Sequence, residues 1–213
     1  MAKRNIQKTK SSPPLIFTEF LKVWDEDGSK ILLELVWQAY DLLKEENLAQ
    51  LDERYITQCL EPNIHKVMNG FEPFYIQHGP YENETKKPPP AQPPQPDLAF
   101  ILNEDRRSMW PLEAKLLHSD KAVAQYIKEI HDNFLTCRYA PFSGEAAMLG
   151  YLLKGKAQNA FDEIAKKLEC TLFHYPYFLK RPHKISKHYR EIPQEKNYPE
   201  NFKCHHLIME IFT

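Results

Sequence analysis

Two apolar segments with charged residues set into them constrain the fold of this chain more than any other feature. Residues 98–102 and 110–117 have the length of β-strands, and the polar residues 103–108 between them are typical of a turn. Asp97 precedes the first segment, while Glu113 and Lys115 lie inside the second. Because side chains alternate across a strand, Glu113 and Lys115 are predicted to share one face.

The residues before these strands predict helices. Residues 31–43 are apolar in nearly every direction around a helix, so they predict a helix buried almost all round, either in the core or against a partner chain. A second helix is predicted to be capped by Asp52 and to be bent or interrupted at Pro62. Residues 74–77 predict a first strand.

The second half of the chain alternates between helical and strand patterns. Residues 122–135 have one apolar stripe at helical spacing, and Asp120 is the predicted cap of that helix. Residues 146–153 form a short apolar run typical of a buried strand, and residues 157–168 return to helical spacing. This alternation favours an α/β sheet covered by helices.

Length and composition predict one domain. A chain of 213 residues fits a single hydrophobic core, because one core serves up to about 250 residues. We expect residues 1–14 to be a flexible basic arm and residues 15–213 to be the domain. The proline-rich residues 85–96 favour a stiff loop between two strands, although a domain linker has the same composition.

The net charge and the cysteines limit which partners and which cellular compartment we expect. A formal net charge of −1 provides no overall attraction to nucleic acid, so any such binding needs a local basic patch. The four cysteines are far apart in the sequence and form no CxxC pair, which is typical of reduced thiols in the cytoplasm. No apolar run approaches the roughly 20 residues that a membrane helix needs, so no membrane association is expected.

The charged residues of the two strands could form a metal centre. Mg²⁺ prefers oxygen ligands, and Asp97, Glu113 and the main-chain carbonyl of Ala114 could supply them beside a scissile phosphate. Lys115 could orient or deprotonate an attacking water. The alternative is structural: Asp97 caps a turn, and the other two charges form a solvated strand face.

At these residues the chain resembles the PD-(D/E)xK nuclease superfamily. The matching elements are Pro96-Asp97, a gap of 15 residues, and Glu113-Ala114-Lys115. The resemblance implies a restriction-endonuclease-like fold, with a mixed sheet flanked by helices, and Mg²⁺-dependent cleavage of DNA or, more rarely, RNA. Mn²⁺ is expected to substitute for Mg²⁺. It also suggests a role in bacterial restriction or anti-phage defence, or alternatively an inactive nuclease-fold module that binds a protein or nucleic acid.

Many members of this family carry another acid on the helix before the strands. Glu34, Glu53 and Glu61 all qualify, and Glu53 is preferred because it can point inward beside the apolar face of its helix. Gln125 matches a supporting glutamine of some relatives, but their Gln-x-x-x-Tyr spacing is absent here. The adjacent Tyr126 falls on the apolar stripe, which favours core packing.

Two further segments are candidate binding surfaces. The acid-free residues 170–190 mix cations with aromatics, a composition that suits phosphates and unstacked bases but also an ordinary solvated loop. The predicted nucleic-acid contacts are Lys180, Arg181, Lys184, Lys187, His188 and Arg190. The apolar helix at residues 31–43 is the predicted surface for a homodimer or a partner subunit.

Overall fold

The central feature of the structure is a seven-stranded sheet with the strand order β1-β2-β3-β4-β7-β6-β5. The structure, a computed structural model, describes residues 16–22, 27–46, 48, 51–85, 87 and 91–211, so the predicted arm at residues 1–14 lies outside the described residues. The strands are β1 (Phe74–His78), β2 (Leu98–Leu102), β3 (Met109–Leu117), β4 (Glu145–Leu152), β5 (Phe173–His174), β6 (His183–Tyr189) and β7 (Asn201–Glu210).

The sheet is mixed because its two halves arise from different connections. β1, β2 and β3 pair antiparallel as a meander, whereas β4 pairs parallel with β3 and β7 pairs parallel with β4. β6 and β5 then return antiparallel at the far edge. The predicted α/β class, with a mixed sheet flanked by helices, is confirmed.

One helical layer comes from the first third of the chain. It contains α1 (Phe17–Leu21), α2 (Gly28–Glu45) and α3 (Glu53–Val67). Asp52 caps α3 as predicted, because its side chain accepts a hydrogen bond from the N–H of Tyr55 at 2.9 Å. The prediction for Pro62 was a bend or an interruption; the helix continues through Pro62 to its end, so the interruption is wrong.

The apolar residues of α2 are buried within the chain itself. Trp37 and Leu43 are each 1% exposed, and Leu32, Leu33 and Val36 are fully buried in the cluster shared with α3 and the sheet. The predicted helix is therefore confirmed, and its apolar content is accounted for by intramolecular packing. Among the described residues, no helix is long and apolar enough to cross a membrane.

The second helical layer covers the opposite face of the sheet. It contains α4 (Ala124–Glu129), a π-helical turn (Ile130–Phe134) and α5 (Ala157–Lys167). The prediction that Asp120 caps α4 is wrong. Its carboxylate instead accepts hydrogen bonds from the N–H of Lys156 and the side-chain amide of Asn159, at the start of α5. The loops before α4 and before α5 therefore lie in contact, although they are far apart in the sequence.

The strand alternation predicted for β3 is present. Leu112 and Ala114 pack into the cluster with α2 and α3, while Leu117 packs into the cluster with α4 and α5. Glu113 and Lys115 belong to neither apolar cluster. The sheet therefore carries two charged side chains at a central strand, covered by helices on both faces.

Candidate active site

The candidate site lies where β3 loses its neighbour. β2 pairs with β3 only as far as Leu112, so the N–H groups of Ala114 and Leu116 have no strand to bond to on that side. Asp97 Oδ2 accepts the Ala114 N–H at 2.8 Å, and Glu53 Oε2 accepts the Leu116 N–H at 2.8 Å. Two carboxylates thus replace the carbonyls of the missing strand and stand side by side along the open edge.

The Lys115 ammonium lies at the centre of this group. Its Nζ donates to Glu113 Oε1 at 2.9 Å, to Glu53 Oε1 at 3.1 Å and to the Ala114 carbonyl at 2.6 Å. It also forms an ion pair with Asp97 Oδ2 at 3.7 Å, and its side chain is only 12% exposed. The structure therefore brings together all of the residues predicted for the centre.

The structure also distinguishes among the three acids proposed for the fourth position. Glu53, the preferred residue, reaches the centre through two contacts, with Lys115 and with Leu116. Glu61 lies on the same helix, but its carboxylate accepts the N–H of His78 at the edge of β1. Glu34 is exposed on α2 beside a separate groove. Only Glu53 is directed toward the open edge of β3.

Burial and mutual repulsion dominate the electrostatics of the centre. Glu113 is 4% exposed, and burial raises its pKa to about 8, with the neighbouring Asp97 carboxylate adding to the rise. Burial also raises the pKa of Asp97. For Lys115, burial acts to lower the pKa, but the surrounding carboxylates outweigh it and the pKa is raised. Three carboxylates share one ammonium, so full ionisation of all three would give the centre a net negative charge.

The donor atoms fit a hard divalent cation in kind, since all of them are carboxylate or carbonyl oxygens. Their present arrangement closes around the ammonium of Lys115. Accordingly, within the described part of the chain no three carboxyl, imidazole or thiol groups form a ready metal-ligand cluster. Asp97, Glu113, Glu53 and the Ala114 carbonyl are the groups that could hold such an ion.

Glu129, which the sequence did not single out, adds a further negative charge near the centre. It ends α4 directly before the π-helical turn, and its carboxylate accepts hydrogen bonds from the side-chain amides of Gln125, at 2.7 Å, and Asn133. Its charge contributes to the raised pKa of both Asp97 and Glu113. Gln125 is exposed, and its side-chain amide bonds to Glu129 and not to the residues of the centre. The spacing of Gln125 and Glu129, four residues apart on a helix, is the sequence signal for this pair.

Two tyrosines near the centre have different roles. Tyr139, also missed by the sequence, is buried, and its hydroxyl donates to the Gln95 carbonyl at 3.2 Å, two residues before Asp97. Burial raises the pKa of Tyr139, and the Glu113 carboxylate adds to the rise. Tyr126 is fully buried and its hydroxyl contacts His206 Nδ1 at 3.0 Å, so its predicted core role is confirmed.

The predicted basic segment does not form one surface. Arg181 forms a two-pronged ion pair with Asp41 of α2, whereas Lys184 lies over the ring of Phe161 of α5 at 5.0 Å. These two cations are therefore on opposite faces of the sheet. Lys180 and Lys187 are exposed, and His188 is half-buried with its Nε2 near the Ser186 hydroxyl at 2.6 Å.

The prediction that Arg190 contacts nucleic acid is wrong. The residue is 5% exposed, and its guanidinium donates to backbone carbonyls of the loop that follows the π-helical turn. Its ring contact is with Phe202, 4.5 Å from the guanidinium carbon to the ring centroid. The composition of the basic segment suggested an accessible cation here, but the loop packs over the side chain.

Comparisons with known proteins leave the site to be judged on its own geometry. No family model, no curated protein and no solved structure matches the chain. The fold and site together describe an α/β protein with a mixed sheet and a buried charged centre at an open strand edge.

Proposed function

We propose that this protein is a metal-dependent nuclease that hydrolyses phosphodiester bonds, with DNA as the first substrate to test and RNA as the second. The observation that carries the proposal is the convergence of Glu53, Asp97 and Glu113 with Lys115 at the open edge of β3. A buried centre of this kind costs stability, because ionised groups removed from water must be compensated. Such a cost is typical of a functional site.

The order of elements supports the resemblance to PD-(D/E)xK nucleases. A helix, α3, precedes the meander β1-β2-β3 that carries the motif, and a helix and the parallel strand β4 follow. Asp97 directly precedes β2, and Glu113 and Lys115 lie within β3, which is compatible with the family motif. The restriction-endonuclease-like fold is part of this proposal.

Each residue of the centre has a distinct role in the proposed reaction. Asp97, Glu113 and the Ala114 carbonyl, with Glu53, would hold Mg²⁺ or Mn²⁺, and the bound ion supplies positive charge beside the scissile phosphate. Lys115 would orient the attacking water and offset the charge that develops on the phosphoryl oxygens. Water forms the new phosphorus–oxygen bond and the leaving oxygen departs with a proton, so no covalent enzyme intermediate is formed.

The biological setting that we propose is bacterial restriction or anti-phage defence in the cytoplasm. The family resemblance suggests this setting. The sequence also contains no recognisable module for reading a specific nucleotide sequence. A partner or an activating signal could therefore be needed, and assays should include mixed substrates. The competing proposal is an inactive nuclease-fold module that binds a protein or nucleic acid.

The deciding experiment measures cleavage of supercoiled, linear and single-stranded DNA and of RNA, with Mg²⁺, Mn²⁺ or a chelator. Glu113→Gln and Lys115→Ala should each reduce the cleavage rate by at least roughly a hundredfold, the scale expected for charge-stabilising groups. Glu104→Gln and Lys121→Ala, at exposed positions, are the matched controls and should cleave normally. A folded wild type that cleaves nothing, or cleavage that survives both active-site changes, contradicts the proposal and favours the binding module.

A further inference from the structure

The ammonium of Lys115 is bonded to the same oxygens that would hold a divalent cation. An ammonium has three N–H donors, and Lys115 directs them to Glu113 Oε1, Glu53 Oε1 and the Ala114 carbonyl. The fourth neighbour is Asp97 Oδ2 at 3.7 Å. Every ligand assigned to the proposed metal centre is therefore already in contact with one positive charge.

Backbone N–H groups also bond to each of the three carboxylates. Asp97 Oδ2 accepts the N–H of Ala114, Glu53 Oε2 accepts that of Leu116, and Glu113 Oε2 accepts that of Asp97 at 3.3 Å. These backbone bonds hold the carboxylates in place along the strand edge. The three carboxylates therefore meet around the ammonium of Lys115.

From this overlap we propose that Lys115 is an exchangeable internal counter-ion, which holds the carboxylates together without metal and must withdraw when a divalent cation binds. The inference rests on the proposed function, since it concerns the same centre. An ammonium and a divalent cation repel each other strongly at a separation of a few ångströms in a partly buried site. The long, flexible stem of lysine permits the withdrawal, after which the ammonium is available beside the scissile phosphate.

The proposal predicts opposite effects of one substitution on stability and on cation binding. Lys115→Met keeps the length and apolar stem of the side chain and removes its charge. Without metal, this variant leaves the carboxylates to repel one another, so its melting temperature should fall. Because no ammonium then has to be displaced, Mn²⁺ should bind roughly tenfold more tightly or better.

The experiment uses full-length wild type, Lys115→Met and Lys187→Met, the last being a control at an exposed position of β6. Calorimetric titration with Mn²⁺ measures the dissociation constant, and thermal unfolding is recorded in chelator and in saturating Mn²⁺. We expect tighter binding and a larger gain in melting temperature on adding Mn²⁺ for Lys115→Met, with the control equal to wild type. If Lys115→Met does not fold in chelator, Lys115→Gln replaces it, because its amide still donates hydrogen bonds.

The outcomes separate this inference from the proposed nuclease activity. Equal or weaker Mn²⁺ binding by the neutral variants, with measurable binding by wild type, overturns the counter-ion proposal and leaves the nuclease proposal standing. Tighter binding by the variants with no cleavage by wild type does the reverse. Mn²⁺ binding by none of the proteins overturns both.

Discussion

Arg190 provides the sharpest test of how this fold is held together. The side chain is 5% exposed and its positive charge is bonded only to main-chain oxygens, with no carboxylate partner among the described residues. The loop that it binds carries two non-glycine residues with left-handed backbone, Cys137 at a φ of 57° and Ala140 at a φ of 37°. Arg190 therefore stabilises a strained segment that also contains Tyr139. Its acceptors are the carbonyls of Phe134, Tyr139, Ala140, Pro141 and Ser143.

The magnitude follows from the two shortest of these bonds. Nε donates to the Phe134 carbonyl at 2.9 Å and Nη1 to the Ser143 carbonyl at 2.7 Å, whereas the other three contacts are 3.3 to 3.4 Å. A hydrogen bond that involves a charged group contributes about 1.5–3 kcal/mol, so these two bonds set the scale. The Phe134 carbonyl would keep the N–H of Cys137, at 3.2 Å, as a second donor. We expect Arg190→Ala to lower the free energy of unfolding by about 3–5 kcal/mol. Arg190→Lys, which keeps the charge but not the planar fork, should lose about 2 kcal/mol.

The assay is urea unfolding followed by circular dichroism and tryptophan fluorescence at pH 6, 7.5 and 9. Burial lowers the pKa of Arg190 to about 10, so folded and unfolded states both carry the charge below pH 9 and the loss should not change with pH. Lys187→Ala is the control and should unfold like wild type, because that side chain is exposed. A loss below about 1 kcal/mol for Arg190→Ala would refute the packing argument. Weakened DNA binding by Arg190→Lys at unchanged stability would restore the phosphate role.

Three further substitutions test separate parts of the structure. Burial raises the pKa of Glu82 to about 7, so the stability that this group contributes falls as pH rises from 4.5 to 7. The free energy of unfolding of Glu82→Gln should exceed that of wild type by about 3 kcal/mol at pH 8.5 and equal it at pH 4. Equal free energies of unfolding at both pH values contradict this expectation. Burial lowers the pKa of His206 to about 3, so this group makes stability fall by about 1.4 kcal/mol per pH unit as the pH drops below 6.5. Denaturant titrations should show a slope smaller by about that amount in His206→Gln than in wild type, and an unchanged slope rejects the expectation. Gly150→Ala places a Cβ 2.8 Å from side chains of Ile208 and Leu117, so it should lower the free energy of unfolding by about 1–3 kcal/mol. An unchanged melting temperature would contradict this expectation.

Local patterns predicted most of the elements because the spacing of apolar residues that marks a helix or a strand lies within the element itself. Helical spacing identified α2, α3 and α5, and short apolar runs identified β2, β3 and β4, close to their observed limits. Asp52 was recognised as a cap because capping depends on the next three residues alone. Asp120 was misassigned because its partners, Lys156 and Asn159, are distant in the chain.

The surface charges could not be placed from the sequence for the same reason. Arg181 and Lys184 are three residues apart but lie on opposite faces of the sheet, against α2 and α5 respectively. Arg190 belongs to the same basic stretch of sequence, yet a loop from another part of the chain covers it. A basic stretch of sequence becomes a basic surface only if its neighbours leave one face open.

The sequence by itself determined the chemistry available to the candidate site: an acid before one strand, and an acid and a lysine inside the next. Their placement on one strand face follows from their spacing, which can be read directly from the sequence. The tertiary structure decided which helix acid joins them. β2 begins at Leu98, so the N–H groups of Ala114 and Leu116 lack a strand partner, and Asp97 and Glu53 accept them. Glu53 is selected over Glu34 and Glu61 because buried backbone donors must be satisfied, a demand that exists only once the sheet and α3 have packed together.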